Sequence, residues 1–277
     1  MNLNISIVQT DLHWEKASQN LAMLAKKIRD INHPTDIIVL PEMFTTGFSM
    51  NSLKLAEPMS GETIAWMKCM AKKKKAVITG SLIIKARNKY YNRLAWVQPE
   101  GEVYTYDKRH LFRMAKEHRH FSAGENRLII NYKGWRICPL ICYDLRFPVW
   151  SRNRALTIDH VSGSHKSIAN KGAYDVLIYI ANWPAARKQP WSKLLEARAI
   201  ENQCYVVGVN RVGEDENEIE YSGNSVVINP KGEAITNIEE NTNAIGLASL
   251  SLDELTAFRK KFPVDLDGDK FTLGCSN

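Results

Sequence analysis

Cys142 closes the apolar run Ile137-Cys138-Pro139-Leu140-Ile141 and is followed at once by the more polar Tyr143-Asp144-Leu145-Arg146 and by Phe147-Pro148. A short run with no polar face reads as a strand covered on both sides, so a thiol at its end stands at the mouth of a sheet. Two other residues share that placement. Glu42 follows Ile37-Ile38-Val39-Leu40-Pro41, and Lys108 follows the strand-like 102–107. Each alone has an ordinary reading: a core cysteine, a loop carboxylate, a surface ammonium. Ligands of open α/β sheets gather at strand ends, and there the three would complement one another.

Hydrolysis of an unactivated amide needs a nucleophile, a base that later acts as an acid, and a donor for an oxyanion. Cys142 can be the nucleophile once deprotonated. Glu42 can take its proton, deliver it to departing ammonia and then activate water. Lys108, with the backbone N–H of Tyr143, can form an oxyanion hole, in which one donor contributes ~2.7–4 kcal/mol. His110, His118 and His120 keep a Cys–His arrangement open as the alternative.

The elements that must position these residues alternate. Leu3, Ile5 and Ile7 mark a strand over 3–9; Ala17, Leu21, Leu24, Ile28 and Ile31 form the apolar stripe of a helix; 36–42 is a buried strand. Strand, helix, strand at this spacing is a right-handed crossover. A helix near 61–75 and a strand over 76–84 follow, then a hairpin (90–98 and 102–107) turning at Pro99-Glu100-Gly101. Beyond a loop rich in His and Arg come strands over 128–132 and 135–142, and a short helix over 147–153. The polar stretch 154–172 reads as an exposed loop. Strands over 175–183, 204–210, 224–229, 233–238 and 244–250 are expected, with helices over 191–202 and 252–262. Crossovers and hairpins together predict an α/β protein with mixed strand direction, and no linker or repeat divides residues 1–277 into more than one domain.

Composition restricts the classes. Hydrophobic content of 44% and charged content of 24% are those of a globular chain. The N-terminus has neither a charged region nor a long apolar stretch of a signal peptide, and no run approaches the ~20 apolar residues of a membrane helix, so a cytoplasmic location is expected. Five cysteines without framework spacing point to reduced thiols. On one strand Cys138 and Cys142 would lie ~13 Å apart, beyond disulfide reach, and no second pair exists to complete a zinc site. The net charge of +7 raises nucleic acid as a partner, but Lys72-Lys73-Lys74-Lys75 falls at a helix C-terminus, where cations are favourable. No nucleic-acid or membrane partner is expected.

Leu40-Pro41-Glu42, Tyr106-Asp107-Lys108-Arg109-His110-Leu111-Phe112 and Cys142-Tyr143-Asp144-Leu145-Arg146-Phe147-Pro148 resemble the three signature segments of the nitrilase superfamily of carbon–nitrogen hydrolases. The likeness is closest to its omega-amidase-like branch, which acts on 2-oxo acid ω-amides, and extends to Ala181-Asn182-Trp183-Pro184 and 197–202. The resemblance implies the Glu42–Lys108–Cys142 triad. It also implies a second glutamate, Glu117, seven residues before Gly124, holding Lys108 and the substrate amide. The implied fold is a four-layer αββα sandwich with two mixed sheets, commonly paired into homodimers, and the implied chemistry uses no metal or organic cofactor. Close relatives run from the 150–153 helix almost straight into the next strand, so 154–172 is an insertion.

For such a substrate the far carboxylate needs a cationic partner. Arg146 is the first candidate, with Arg113 and Arg187 behind it; the competing role for Arg146 is an ion pair with Asp144. Phe44, Tyr143 and Trp183 are candidate pocket walls. A nitrilase, an N-carbamoyl amidase or a glutaminase are the rival enzymes, and an inactive binding module with a basic face is the rival outside enzymology.

Overall fold

Apolar alternation along the first strands sorts side chains to two different interiors. The computed structural model describes residues 1–154, 173–236, 238–269, 271 and 273. Its first half contains β1 (Asn2–Gln9), α1 (Ala17–Asp30), β2 (Ile37–Val39), α2 (Ser52–Leu55), α3 (Glu62–Lys74), β3 (Val77–Ala86), β4 (Lys89–Val97) and β5 (Val103–Asp107). The second contains β6 (Ile130–Tyr132), β7 (Trp135–Ile141), α4 (Pro148–Ser151), β8 (Val176–Ala181), α5 (Lys188–Asn202) and β9 (Tyr205–Asn210). It ends with β10 (Val212–Glu214), β11 (Glu220–Ser222), β12 (Val226–Ile228), β13 (Ala244–Ser251) and α6 (Leu252–Lys261).

One sheet runs β13-β1-β2-β3-β4-β5 and the other β12-β9-β8-β7-β6, each with parallel strands inside and antiparallel strands outside. Ile37 and Val39 join the core between the sheets, while Ile38 and Leu40 turn to the layer of α1 and α3. That double burial is why β2 has no polar face. On the far side Trp191, Leu195 and Ala199 of α5 pack on the second sheet. Gly208 of β9 permits the close approach: a Cβ there would lie 3.0 Å from Trp191 Cζ2. The layers are therefore helix, sheet, sheet, helix, the αββα sandwich expected above.

β2 and β5 both run parallel to β3, the latter through two antiparallel steps, and β7 is parallel to β8. The C-terminal ends of β2 and β5 thus share an edge of one sheet, and those of β7 and β8 share an edge of the other.

Several local expectations change. The strand ahead of Cys142 stops at Ile141, and Cys142–Arg146 form a 3-10 turn. The strand expected over 233–238 is reduced to one bridge, Ile228 to Ala234, among the described residues. The β10–β11 pair was not anticipated, because Glu214–Glu218 is too polar to signal strands on either side. Lys72, Lys73 and Lys74 do occupy the last turn of α3, closed by left-handed Lys75. Residues 155–172, nearly all of the insertion, and Cys275 lie outside the described residues.

Candidate active site

Glu42, Lys108 and Glu117 meet where the strand ends of the two facing sheets come together, all without solvent exposure. Lys108 Nζ lies 2.9 Å from Glu42 Oε1 and 3.1 and 3.0 Å from the two oxygens of Glu117. An ammonium buried without partners would lose its charge. Here burial lowers the Lys108 pKa, but the Glu117 and Glu42 carboxylates outweigh it and leave the net shift upward. Glu117 shifts up as well, through burial foremost and the charge of Glu42, against the opposing pull of Lys108.

Each carboxylate is further oriented. Glu42 Oε1 accepts from Asn92 Nδ2 at 2.7 Å and Oε2 from the Asn182 backbone N–H at 2.8 Å. The Asn182 side-chain amide donates back to the Glu42 carbonyl at 2.6 Å, lacing the first sheet to the second. Glu117 Oε2 accepts the Phe112 N–H at 2.6 Å. A carboxylate offers about four acceptor positions, so three bonds to Glu42 leave one for a thiol proton.

Cys142 is turned out of its strand by a left-handed backbone, φ 43°. Left-handed residues also adjoin the carboxylates: Met43 (φ 42°) follows Glu42 and Lys116 (φ 57°) precedes Glu117. Such strain in non-glycine residues costs of order 1–3 kcal/mol and concentrates at functional sites. Burial foremost, and then the Glu42 carboxylate beside it, push the Cys142 thiol well up, with Lys108 opposing. The resting sulfur is a neutral thiol next to a carboxylate. Tyr143 follows at the start of the 3-10 turn, where backbone N–H groups lack intrahelical partners.

A cavity of about 400 Å³ opens onto Cys142 and is lined by Phe48, Phe112, Tyr143, Arg146, Trp183 and Arg187, with Ile219 and Tyr221 from the end of the β10–β11 hairpin. Arg146 has its Cζ 5.3 Å from the Trp183 ring centre and is in no ion pair among the described residues. Asp144, the rival partner, is taken: its oxygens receive Tyr106 Oη, His110 and the Ile141 N–H. Arg187 stacks 5.6 Å from the Phe112 ring, with Nη2 3.0 Å from the Met114 sulfur.

Two candidates fall elsewhere. Arg113 is exposed and outside the cavity lining. Phe44 is fully buried under the first sheet, in the space Gly80 leaves by lacking a Cβ, and it contacts Trp66; Phe48 takes the wall position. His118 and His120 are exposed, and His110 is bonded to Asp144. Phe112 and Asn182 fall within the segments that carry the family resemblance, whereas Asn92, Phe48 and the hairpin residues have no distinguishing sequence signal.

The profile of the carbon-nitrogen hydrolase family matches residues 4–260. The chain belongs to that family. It is 45% identical to the omega-amidase YafV of Yersinia enterocolitica, with 98% of each chain covered. The 2-oxoglutaramate amidase of Bacillus subtilis is 33% identical, with 95% of this chain and 96% of that protein covered. In structure it resembles XC1258 of Xanthomonas campestris, a CN-hydrolase superfamily protein solved with an arsenic adduct in its active site: TM-score 0.91, 40% identity, with 99% of this chain and all of that one covered. The nitrilase-superfamily assignment, the omega-amidase-like branch and the sandwich fold read from the three segments are thereby borne out.

Proposed function

We propose that the protein hydrolyses the terminal amide of small dicarboxylic acid monoamides, with 2-oxoglutaramate and 2-oxosuccinamate as the leading substrates, to the acid and ammonia. The observation that carries this reading is one cavity lined by both the Cys142 thiol and the guanidinium of Arg146, which has no ion pair among the described residues, above a closed Glu42–Lys108–Glu117 cluster. The names of the curated relatives support the substrate class.

In this reading Cys142 Sγ attacks the amide carbon as its proton passes to Glu42. The carbonyl oxygen becomes an oxyanion held by Lys108 Nζ and the Tyr143 N–H. Glu42 returns the proton to nitrogen, the C–N bond breaks, and ammonia leaves behind a thioester. Water, deprotonated by Glu42, attacks the same carbon; the second oxyanion collapses, the C–S bond breaks, and sulfur regains the proton. Glu117 keeps Lys108 in place and contacts the amide. Arg146 takes the distal carboxylate, and Trp183, Tyr143 and Phe48 enclose the chain. Holding the thiol neutral until substrate enters protects it from oxidation, since the thiolate is the reactive form.

The test is ammonia release from 2-oxoglutaramate, 2-oxosuccinamate, succinamate, glutamine, an N-carbamoyl amino acid and a small nitrile, beside Cys142→Ala. Release from the ω-amides that vanishes in the variant supports the reading; turnover of only the nitrile or carbamoyl compound replaces it. We also propose a single-domain chain that works as a cytoplasmic homodimer. Among the described residues no helix is long and apolar enough to cross a membrane, and a purely monomeric species in sedimentation velocity would refute the dimer.

A further inference from the structure

Lys108 and Cys142 belong to different sheets, so nothing in either strand's own register sets the distance between them. One buried carboxylate spans the gap. Asp144 Oδ2 accepts the Ile141 N–H at 3.0 Å, immediately before the nucleophile, and Tyr106 Oη at 2.7 Å, two residues before the lysine. Asp144 Oδ1 accepts the His110 N–H at 3.0 Å and lies 2.7 Å from His110 Nδ1, two residues after the lysine. Both flanks of Lys108 and the approach to Cys142 are therefore gripped by the same group.

The His110 ring reinforces the connection. It stacks on Phe147, five residues beyond the nucleophile, at 3.7 Å and 6°. The Lys108 N–H donates to the Asn92 carbonyl of β4 at 3.0 Å, and its carbonyl accepts the Gly124 N–H of the following loop at 2.9 Å. Glu42 has its own tie to the second sheet through Asn182; Lys108 has Asp144.

We infer that Asp144 and His110 are positioning residues of the reaction: together they set Lys108 against Cys142 across the sheet interface, so that the ammonium and the Tyr143 N–H converge on one oxyanion. This rests on the Cys142–Lys108 assignment above, not on the identity of the amide. A bond network of this kind fixes relative placement, and misplacement of a reacting group by about 1 Å can cost ~10²-fold.

Two substitutions separate the bond from the stack. His110→Phe keeps a ring over Phe147 and deletes the Nδ1 donor to Asp144. His110→Asn keeps a donor amide near Nδ1 and deletes the ring. Both remove the same titratable group, so any difference between them is not due to imidazole charge. Tyr106→Phe, which removes another donor to Asp144 at constant shape, serves if His110→Phe does not fold. The readouts are kcat and KM on the amide turned over by wild type, and the pH midpoint of Cys142 alkylation by iodoacetamide, which needs no substrate. The charged groups acting on that thiol are Glu42, Lys108 and Glu117, of which only Lys108 lowers its midpoint.

His110→Phe is expected to lower kcat by about 10–100-fold with KM within about twofold, and to move the alkylation midpoint upward as Lys108 recedes. His110→Asn should stay within about threefold of wild-type kcat with an unmoved midpoint, and Tyr106→Phe should shift the midpoint in the same direction as His110→Phe. Equal losses in both His110 variants, kcat of His110→Phe within threefold of wild type, or a fall in kcat with no midpoint shift would each overturn the proposal. If wild type turns over none of the amides, the substrate reading fails while the alkylation comparison still decides this one.

Discussion

Arg146 offers the cleanest test of substrate recognition, because its removal should leave the fold untouched. Its side chain is exposed, its guanidinium lies over Trp183, and no carboxylate among the described residues pairs with it. Surface substitutions of this kind change stability by no more than about 0.5 kcal/mol. A hydrogen bond to a charged group contributes ~1.5–3 kcal/mol, or about 10–150-fold in kcat/KM when it is absent from the variant. Arg146→Gln should therefore lose about that factor on succinamate or 2-oxoglutaramate. On butyramide, which has no distal carboxylate, it should lose less than about threefold. The assay is ammonia release under kcat/KM conditions on the matched pair, with urea unfolding as the control. A loss of equal size on the neutral amide would show that Arg146 supports the wall rather than the charge, and the assignment would fall.

The remaining expectations concern the buried cluster and its neighbours. Lys108→Ala should lower kcat by at least about 10²–10³-fold, the effect of one oxyanion donor, and Glu42→Gln should lose turnover by orders of magnitude; either variant retaining more than about a tenth of wild-type kcat would remove its assigned role. Lys108→Ala also leaves two carboxylates buried together, so urea unfolding should register a loss of about 3–5 kcal/mol, and an unchanged midpoint would contradict the coupling. Arg113→Ala should leave kcat/KM within about twofold, since the residue stands outside the cavity, whereas a large loss would relocate the binding surface. Burial pushes the Cys138 thiol from its ordinary 9.0 up to about 12 and raises Cys142 and Cys204 too. Below the unfolded value both states carry the proton and stability is intact. Above pH 9 mainly the unfolded chain ionises, so stability falls as pH rises toward the folded values, by about 1 kcal/mol per thiol between pH 9 and 10. Cys204→Ala should remove about 1 kcal/mol of the loss between pH 9 and 10 in urea unfolding at pH 8, 9 and 10, and an unaltered slope would show that Cys204 is not held neutral.

The strands and helices were legible where burial is two-sided or periodic. β2 and β7 announce themselves because both faces meet apolar layers, and α1 because Leu21, Leu24 and Ile28 recur at helical steps. The candidate residues Glu42 and Cys142 were legible because each closes an apolar run, Lys108 because it ends the second strand of a hairpin, and Glu117 through resemblance. Other features depended on contacts between segments distant in sequence. Phe44 and Phe48 are equally apolar, yet only the gap over Gly80 decides that the first is core and the second wall. Asp144 lies two residues before Arg146 in sequence but is claimed by Tyr106 and His110 from the other side of the sandwich, leaving Arg146 on the cavity without an ion-pair partner among the described residues. Local chemistry is written along the chain, because periodicity and strand ends are properties of neighbours. The distance from Lys108 to Cys142, and the partner each charge finds, come only from packing two sheets face to face, since no single segment contains both sides of those contacts.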